Sequence, residues 1–311
     1  MFSNILVFLE DLEASGFLPY VISLVNNSNA SVSLLAYTQP SSKLIDPVEW
    51  HLSKIEAEIE LDRSIQALVE ENVSARGILL DNSEYSSRAQ ALARQIIETG
   101  ADLLILGGAT RHLLLDPVLT ATGVTTFVLA GEHPAYLEQI QPIQKVMVPL
   151  DCSLRAECVL PVARQFSQHM QAELMLAHVV GCVDMPPRLE HNAHISNLVE
   201  QVVAHKRAEG ERYLSHLQAT MPEAYGTQLI VNNNICWALH DLAIQEEIDL
   251  VILSAHGMSS NMHWPYGSVT TSFITHSKLP LLIVQDTGSE NAGSQAWVTE
   301  TPIALRPNHV A

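Results

Sequence analysis

The chain contains an internal repeat, and this repeat limits the available folds more than any other feature of the sequence. Four short apolar segments of strand length recur in the same order in the two halves, at offsets that increase from 141 to 155 residues along the chain. The matched pairs are NILVFLE (4–10) with KVMVPLD (145–151), ASVSLLAY (30–37) with AELMLAHV (172–179), ADLLILGG (101–108) with IDLVILSA (248–255), and TTFVLA (125–130) with PLLIVQ (280–285). The 311 residues are therefore predicted to be a tandem duplication of one unit.

Segments with helical periodicity lie between these apolar runs, at 47–71, 86–100, 154–170, 196–221 and 236–247. Buried strands that alternate with helices are typical of a parallel sheet with helices on both faces. Right-handed crossovers then predict a doubly wound α/β unit in each half, with ligands at the carboxyl ends of the strands. We predict domains at 1–139 and 140–290, a linker within 131–144 and a polar tail at 291–311.

The charge balance excludes several kinds of partner. The formal net charge is −18, from 34 acidic and 16 basic residues, and it repels nucleic acids and anionic membrane surfaces. We find no apolar run near the ~18 residues of a membrane-spanning helix, and no basic segment typical of a secretory signal at the start. The four cysteines form no CxxC pair, as expected for reduced thiols. A cytoplasmic protein is predicted.

A loop in the second half has the composition of a phosphate-binding site. Residues 254–268, SAHGMSSNMHWPYGS, follow the apolar run DLVILS and fit the spacing S-x2-G-x9-G-S. Gly257 and Gly267 lack a Cβ atom, so their backbone can adopt positive φ and approach phosphate oxygens closely. Ser268 begins a predicted helix whose first N–H groups attract an anion, and its hydroxyl can cap that helix or bind a phosphate oxygen.

In these residues the second half resembles a universal stress protein domain, whose ATP-binding members carry G-x2-G-x9-G-[ST] at this place. Two further matches are VPLDCS (148–153) at the end of the first strand and LAHVV (176–180) at the end of the second. The resemblance covers both halves and implies a tandem universal stress protein, similar to a dimer fused into one chain. The implied fold is adenine nucleotide alpha hydrolase-like, with two doubly wound parallel five-stranded sheets.

The resemblance implies a site for ATP or a related adenine nucleotide in the second half. Pro149, Asp151 and Val179 would line the adenosine end, although Asp151 could instead cap the helix that follows it. The other implied binding residues would lie beneath the ribose or beside the phosphates: Leu253, Ser254, His256, Gly257, Gly267, Ser268 and, through its backbone N–H, Val269.

Two departures from the family pattern bear on the ligand. Ser254 stands where the family has its first glycine, which constrains the backbone slightly. The nine residues MSSNMHWPY between the loop glycines contain no Lys or Arg. A divalent cation such as Mg²⁺ would then have to neutralise a triphosphate, or the ligand would carry fewer phosphates.

The first half lacks the corresponding motif. Thr110 occupies the position of Gly257, and no Gly-Ser pair follows at the right distance. About eight residues are missing before the last strand, and we expect this deletion to remove most of the first turn of the last helix. Glu10, Phe8 and Tyr37 occupy the places of the three adenosine-lining residues, so aromatic rings are expected to fill the adenine slot. We predict a structural partner with a degenerate site.

The leading prediction is a nucleotide-dependent stress-response regulator that acts as a homodimer or with another protein. One alternative is an interaction or scaffold protein in which both sites are vestigial. The other is a slow ATP hydrolase in which Asp151, His256 and Ser268 converge on the nucleotide. The sequence places no obvious base to activate water and contains no common hydrolase motif, so no catalytic residue is assigned.

Histidines and cysteines also raise the question of a metal site. Cys152, Cys182 and His178 lie near strand ends, and His191 and His194 are three residues apart. Neither set has a recognised zinc-ligand spacing, so no metal ligand is assigned.

Overall fold

The fold is taken from a computed structural model, which describes residues 1–9, 18–26, 29–38, 47–81, 87–107, 111–129, 143–182, 193–221, 224–258 and 266–286. The first half contains β1 (Asn4–Leu9), α1 (Leu18–Val25), β2 (Ser31–Thr38), α2 (Pro47–Glu70), β3 (Ser74–Asp81), α3 (Arg88–Thr99), β4 (Leu103–Leu106), α4 (Arg111–Thr122) and β5 (Thr125–Val128). The second half contains β6 (Lys145–Leu150), α5 (Leu154–Glu157), α6 (Leu160–Met170), β7 (Glu173–Val180), α7 (Ala193–Thr220), β8 (Ala224–Val231), α8 (Ile235–Gln245), β9 (Leu250–Ser254), α9 (Ser268–His276) and β10 (Leu281–Val284).

The strands form one ten-stranded sheet in the order β3-β2-β1-β4-β5-β10-β9-β6-β7-β8. Within each half all neighbouring strands are parallel, which confirms the predicted pair of doubly wound five-stranded units. The two units are joined edge to edge, because β5 and β10 pair in antiparallel orientation with Leu282 opposite Phe127. In each unit the strand order reverses beside the first strand, between β1 and β4 and between β6 and β9. Such a reversal is where doubly wound sheets bind ligands.

Alternate side chains of the strands point to opposite faces and build two apolar layers. One layer contains Val146 and Val148 together with buried residues of α1, α2, α6 and α7. The other contains Met147 and Val251 together with buried residues of α3, α4, α8 and α9. Both layers extend across the two halves, so the halves share a continuous core.

The predicted helix at 154–170 is instead two helices. Ser153 caps α5 by accepting a hydrogen bond from the backbone N–H of Ala156, and α5 ends after one turn. Pro161 then lies in the first turn of α6, where its missing N–H costs no intrahelical hydrogen bond. Proline therefore marks the start of the new helix.

The predicted linker lies outside the described residues except at 143 and 144, and the predicted tail lies wholly outside them. None of the helices in the described part of the chain combines the length and the hydropathy that crossing a bilayer requires.

Candidate functional site

The candidate site lies at the carboxyl ends of β6 and β9, next to the strand-order reversal of the second half. Asp151 follows β6 and connects the two strand ends. Its Oδ1 accepts hydrogen bonds from the Ser153 backbone N–H (3.0 Å) and hydroxyl (2.6 Å), and its Oδ2 accepts one from the Met258 N–H (2.6 Å). Ser153, not Asp151, caps the following helix, so the capping role considered for Asp151 is wrong.

Gly257 is required by the position of Asp151. A Cβ atom at Gly257 would clash with the Oδ2 atom of the Asp151 carboxylate. Neither Gly257 nor Gly267 has positive φ, so the expectation that these glycines provide left-handed backbone is wrong. The physical reason for glycine at 257 is the close approach of a carboxylate, which any side chain would prevent.

Helix α9 begins at this site without a side-chain cap. Gly267 is its N-cap residue, with extended backbone (φ −75°, ψ 169°), and Ser268 is the first helical residue. The cap role considered for the Ser268 hydroxyl is therefore wrong. The Gly267 N–H donates to the Ala255 carbonyl (2.7 Å), which holds the two ends of the loop together. The first turn of α9 thus lies beside the backbone of Gly257. A Cβ atom at Gly267 would be 3.6 Å from the Gly257 nitrogen, so the two glycines are in close contact.

Ser254 replaces the family's glycine without turning its side chain towards the loop. The Ser254 hydroxyl is buried, donates to the carbonyl of Arg155 (3.2 Å) and lies 3.5 Å from the Cys158 sulfur. The Ser254 carbonyl accepts a hydrogen bond from the Thr270 hydroxyl (2.7 Å), which attaches the start of α9 to the end of β9. The serine is accommodated because its hydroxyl is satisfied on the α5 side of the sheet.

His256 belongs to a half-buried polar group that sequence analysis missed. Its Nδ1 lies 2.7 Å from Oδ1 of Asp286, and Nε of Arg155 donates to Oδ2 of the same carboxylate (2.7 Å). Burial raises the pKa of Asp286, but the hydrogen bonds from His256 and Arg155 outweigh it and hold the pKa below its usual value. The pairing of Val284 with Ser254 places Asp286 beside His256, and that parallel register is the signal that could have revealed the pair.

Three of the residues expected at the adenosine end or beneath the ribose lie in buried strands: Pro149, Val179 and Leu253. Pro149 pairs with Ala177 between β6 and β7, and Val179 and Leu253 belong to the layer that packs against α8 and α9. Val269 is packed against this layer from the first turn of α9. The structure thus brings Asp151 and the ends of the loop to one rim, with Val179, Leu253 and Val269 in the layer beneath it. The side chains of Ser254 and His256 are directed elsewhere, to Arg155 and Asp286.

Tyr266 connects this site to the first half. It directly precedes Gly267 and is buried in the same apolar layer. Burial and the nearby carboxylate of Asp116, on α4 of the first half, raise the pKa of Tyr266. The loop of the second half therefore ends against a helix of the first.

The corresponding rim of the first half differs in its loop and in its side chains. Four residues (107–110) separate β4 from α4, whereas thirteen (255–267) separate β9 from α9. Helix α4 has 12 residues and α9 has 9, so the expected loss of the helix opening is wrong and the deletion shortens the loop alone. The Phe8 and Tyr37 rings pack edge to face, 5.8 Å apart, at the positions equivalent to Pro149 and Val179. Glu10 and Thr110 lie outside the described residues.

A second polar pair lies on the other side of the β6 end. The Cys152 sulfur is 3.6 Å from Nε2 of His178, whose Nδ1 is 2.8 Å from the Leu150 carbonyl. Burial, together with the charges of Asp151 and nearby glutamates, raises the pKa of Cys152 to about 12. Among the described residues, no group of three or more His, Cys, Asp or Glu side chains is placed to hold a metal ion. His191 lies outside these residues.

Comparisons with known proteins agree with this geometry. The sequence pattern of the universal stress protein family matches residues 142–285, and no curated protein matches the chain significantly. A universal stress protein from Archaeoglobus fulgidus is 15% identical, with a TM-score of 0.62 over 91% of this chain and 96% of that chain. A putative universal stress protein from Pseudomonas aeruginosa is 12% identical, with a TM-score of 0.64 over 91% of this chain and 93% of that chain.

The same two-unit fold occurs in a different molecular setting. The cytoplasmic domain of a prokaryotic cation chloride cotransporter is 15% identical, with a TM-score of 0.51 over 93% of this chain and 98% of that chain. These likenesses establish the fold across both halves, while the sequence pattern adds the family for the second. Residues 142–285 therefore match the universal stress protein family in sequence, and the first half repeats the fold of this segment.

Proposed function

We propose that the second half binds ATP or a related adenine nucleotide at the carboxyl ends of β6 and β9 and uses it as a regulatory ligand in a stress response. The observation that carries this proposal is the start of α9. Its first N–H groups have no side-chain cap, and they open beside the backbone of Gly257. A helix N-terminus of this kind attracts phosphate through its N–H groups and its dipole, with no need for a cationic side chain.

The adenosine would lie towards β6 and β7. Pro149 and Val179 are the apolar side chains at these strand ends, and both are smaller than the Phe8 and Tyr37 rings at the equivalent positions of the first half. Asp151 follows Pro149 at the end of β6, and its Oδ2 accepts the Met258 N–H. Nucleotide binding would exchange or share this hydrogen bond, so the loop after β9 would respond to occupancy.

The charges around the site favour a bound cation with the nucleotide. The guanidinium of Arg155 is hydrogen-bonded to Asp286, and the sequence between the two loop glycines contains no Lys or Arg. We expect ATP to bind more tightly with Mg²⁺ than without it, because Mg²⁺ neutralises phosphate charge that the protein leaves unpaired. AMP should show little dependence on Mg²⁺.

The hydrogen bonding of the two nearest titratable groups favours binding over hydrolysis. Both oxygens of Asp151 accept hydrogen bonds from the protein, and Nδ1 of His256 is paired with Asp286. Neither group is oriented as a base towards the start of α9. The nucleotide would therefore act by occupancy, through the loop and the contact of Tyr266 with the first half.

The direct test is to denature the purified protein, identify any released nucleotide by mass spectrometry, and titrate the nucleotide-free protein by calorimetry. Gly267→Val should abolish binding, because its methyl groups would occupy the space before the first N–H groups of α9. Gly226→Val is the matched control, since a Cβ at Gly226 on β8 meets no atom within 4 Å. Unchanged binding by Gly267→Val would overturn the assigned phosphate position. Absence of binding by the unaltered protein would favour a scaffold function.

A further inference from the structure

The second helix of each half begins with a segment that lies outside the core. In α2, no described side chain before Ala57 is buried, and in α7 no described side chain from 194 to 209 is buried. We call residues 47–60 the α2 arm and residues 194–209 the α7 arm. Both helices pack against the same apolar layer further along, α2 through Leu61 and Leu68 and α7 through Leu214 and Leu217.

The α2 arm carries an apolar stripe on its solvent side. Its members are between 45% and 64% exposed and are spaced four, three and four residues apart: Val48, Leu52, Ile55 and Ile59. At 100° per residue they lie on the face opposite to the buried side chains of the same helix. The 4-3-4 spacing is that of the a and d positions of a two-helix coiled coil.

The α7 arm carries a comparable stripe. Leu198 and Val202 are 48% and 45% exposed, and Ile195 continues the spacing one turn earlier, as a half-buried residue. Val199 and Val203 widen the apolar face and are also half-buried. The molecule therefore carries an apolar stripe of four exposed side chains on the α2 arm and a shorter one on the α7 arm, where two of the five aliphatic side chains are exposed.

The two arms of one molecule cannot cover each other. Helix α2 packs on β2 and β3, and α7 packs on β7 and β8, which are the opposite ends of the ten-stranded sheet. The stripe of one arm can therefore meet the stripe of the other only between two copies of the chain.

The charges of the arms select among the pairings of two copies. The α2 arm contains four glutamates and one lysine, so its net charge is −3 (1 − 4). The α7 arm contains two glutamates, one lysine and one arginine, so its net charge is 0 (2 − 2); it also contains His194 and His205. Exposed Glu56 and Glu58 flank the α2 stripe, and exposed Lys206 flanks the α7 stripe. Pairing α2 with α2 would bring two arms of charge −3 together, and pairing α7 with α7 would leave the α2 stripes in water.

From these observations we infer that the protein self-associates by packing the α2 arm of one copy against the α7 arm of the next. This pairing covers both stripes and avoids the repulsion between two α2 arms. It joins two different surfaces, so it generates a ring or a chain of copies rather than a simple two-fold dimer. The inference is independent of nucleotide binding.

The test uses two variants that each remove one stripe. Leu52→Glu and Leu198→Glu should each be monomeric in analytical ultracentrifugation, at concentrations where the unaltered protein forms species larger than a dimer. Their equimolar mixture should form a 1:1 heterodimer, because one variant retains the α7 stripe and the other the α2 stripe. Circular dichroism and thermal melting should be unchanged, since both residues are exposed.

Ile97→Glu, at an exposed aliphatic residue of α3 outside both arms, is the matched control and should assemble as the unaltered protein does. A monomeric unaltered protein at every concentration would overturn the inference. Dimers of Leu198→Glu alone would overturn it in favour of α2–α2 pairing, and dimers of Leu52→Glu alone in favour of α7–α7 pairing. A mixture that remains monomeric would also overturn it.

Discussion

The two halves share a strand order but differ at the rim where a ligand would bind. The sheet and its apolar layers are repeated strand for strand, whereas the loop after the fourth strand has four residues in the first half and thirteen in the second. The polar group formed by Arg155, His256 and Asp286 has Ala14, Ala109 and Gly131 at the equivalent repeat positions, and none of these has a polar side chain. A change in the buried sheet disturbs close packing, whereas a change in a surface loop at the rim disturbs fewer contacts, so the rim can differ more between the two halves.

The first half contributes instead to the junction. Its Phe127 is fully buried on β5, stacks on Phe166 of α6 at 6.5 Å, and packs near Tyr20 of α1. Across the same junction the Ser23 hydroxyl donates to the sulfur of Met170 (3.7 Å). In this comparison, the first half contributes side chains to the junction between the halves, whereas the second half carries the candidate site.

The largest expected effect comes from breaking the junction. Phe127→Ala should lower the free energy of unfolding by about 3–5 kcal/mol, the usual cost of truncating a buried phenylalanine. Chemical denaturation would measure it, with truncation of exposed Ile97 to alanine as a control that should cost little. A change below about 1 kcal/mol would contradict a structural role for this contact.

An intermediate effect should come from the polar group that the first half lacks. Asp286→Asn should cost about 1.5–3 kcal/mol at neutral pH, because it removes charge-assisted hydrogen bonds from Arg155 and His256. The pKa of Asp286 is lower in the folded protein than its usual value, so its stabilisation is full above the unfolded pKa and is lost as pH falls through the folded pKa.

Unfolding curves at a series of pH values would check this sign. The difference in stability between the unaltered protein and Asp286→Asn should be constant near neutrality and shrink below about pH 4. A difference that grew as the pH fell would contradict the assignment.

The smallest effect distinguishes two helix caps, one from each half. Ser153→Ala and Ser87→Ala each remove an N-cap hydrogen bond, to Ala156 of α5 and to Gln90 of α3, and each should cost about 0.5–2 kcal/mol. Only Ser153 also donates to the Asp151 carboxylate, so only Ser153→Ala should weaken nucleotide binding in calorimetry. Equal binding by both variants would show that this hydrogen bond does not orient Asp151.

Local patterns in the sequence predict the parallel units well, because strand and helix periodicity follow from which side chains must be buried. The helix break at Pro161 was missed although proline marks it, since the apolar spacing continues through 154–170. The Asp286 pair with His256 and the clash that fixes Gly257 were missed for another reason. Both depend on register and distance between segments far apart in the chain, which composition and spacing do not encode.

The antiparallel pairing of β5 with β10 has a consequence for how such a chain can diverge. A separated unit would expose its fifth strand as an open edge, ready to recruit other strands into aggregates. Covalent linkage keeps the two complementary edges at high effective concentration, so each is shielded soon after synthesis. The first half, which lacks the loop motif, is therefore still needed because its β5 covers the edge strand of the second half.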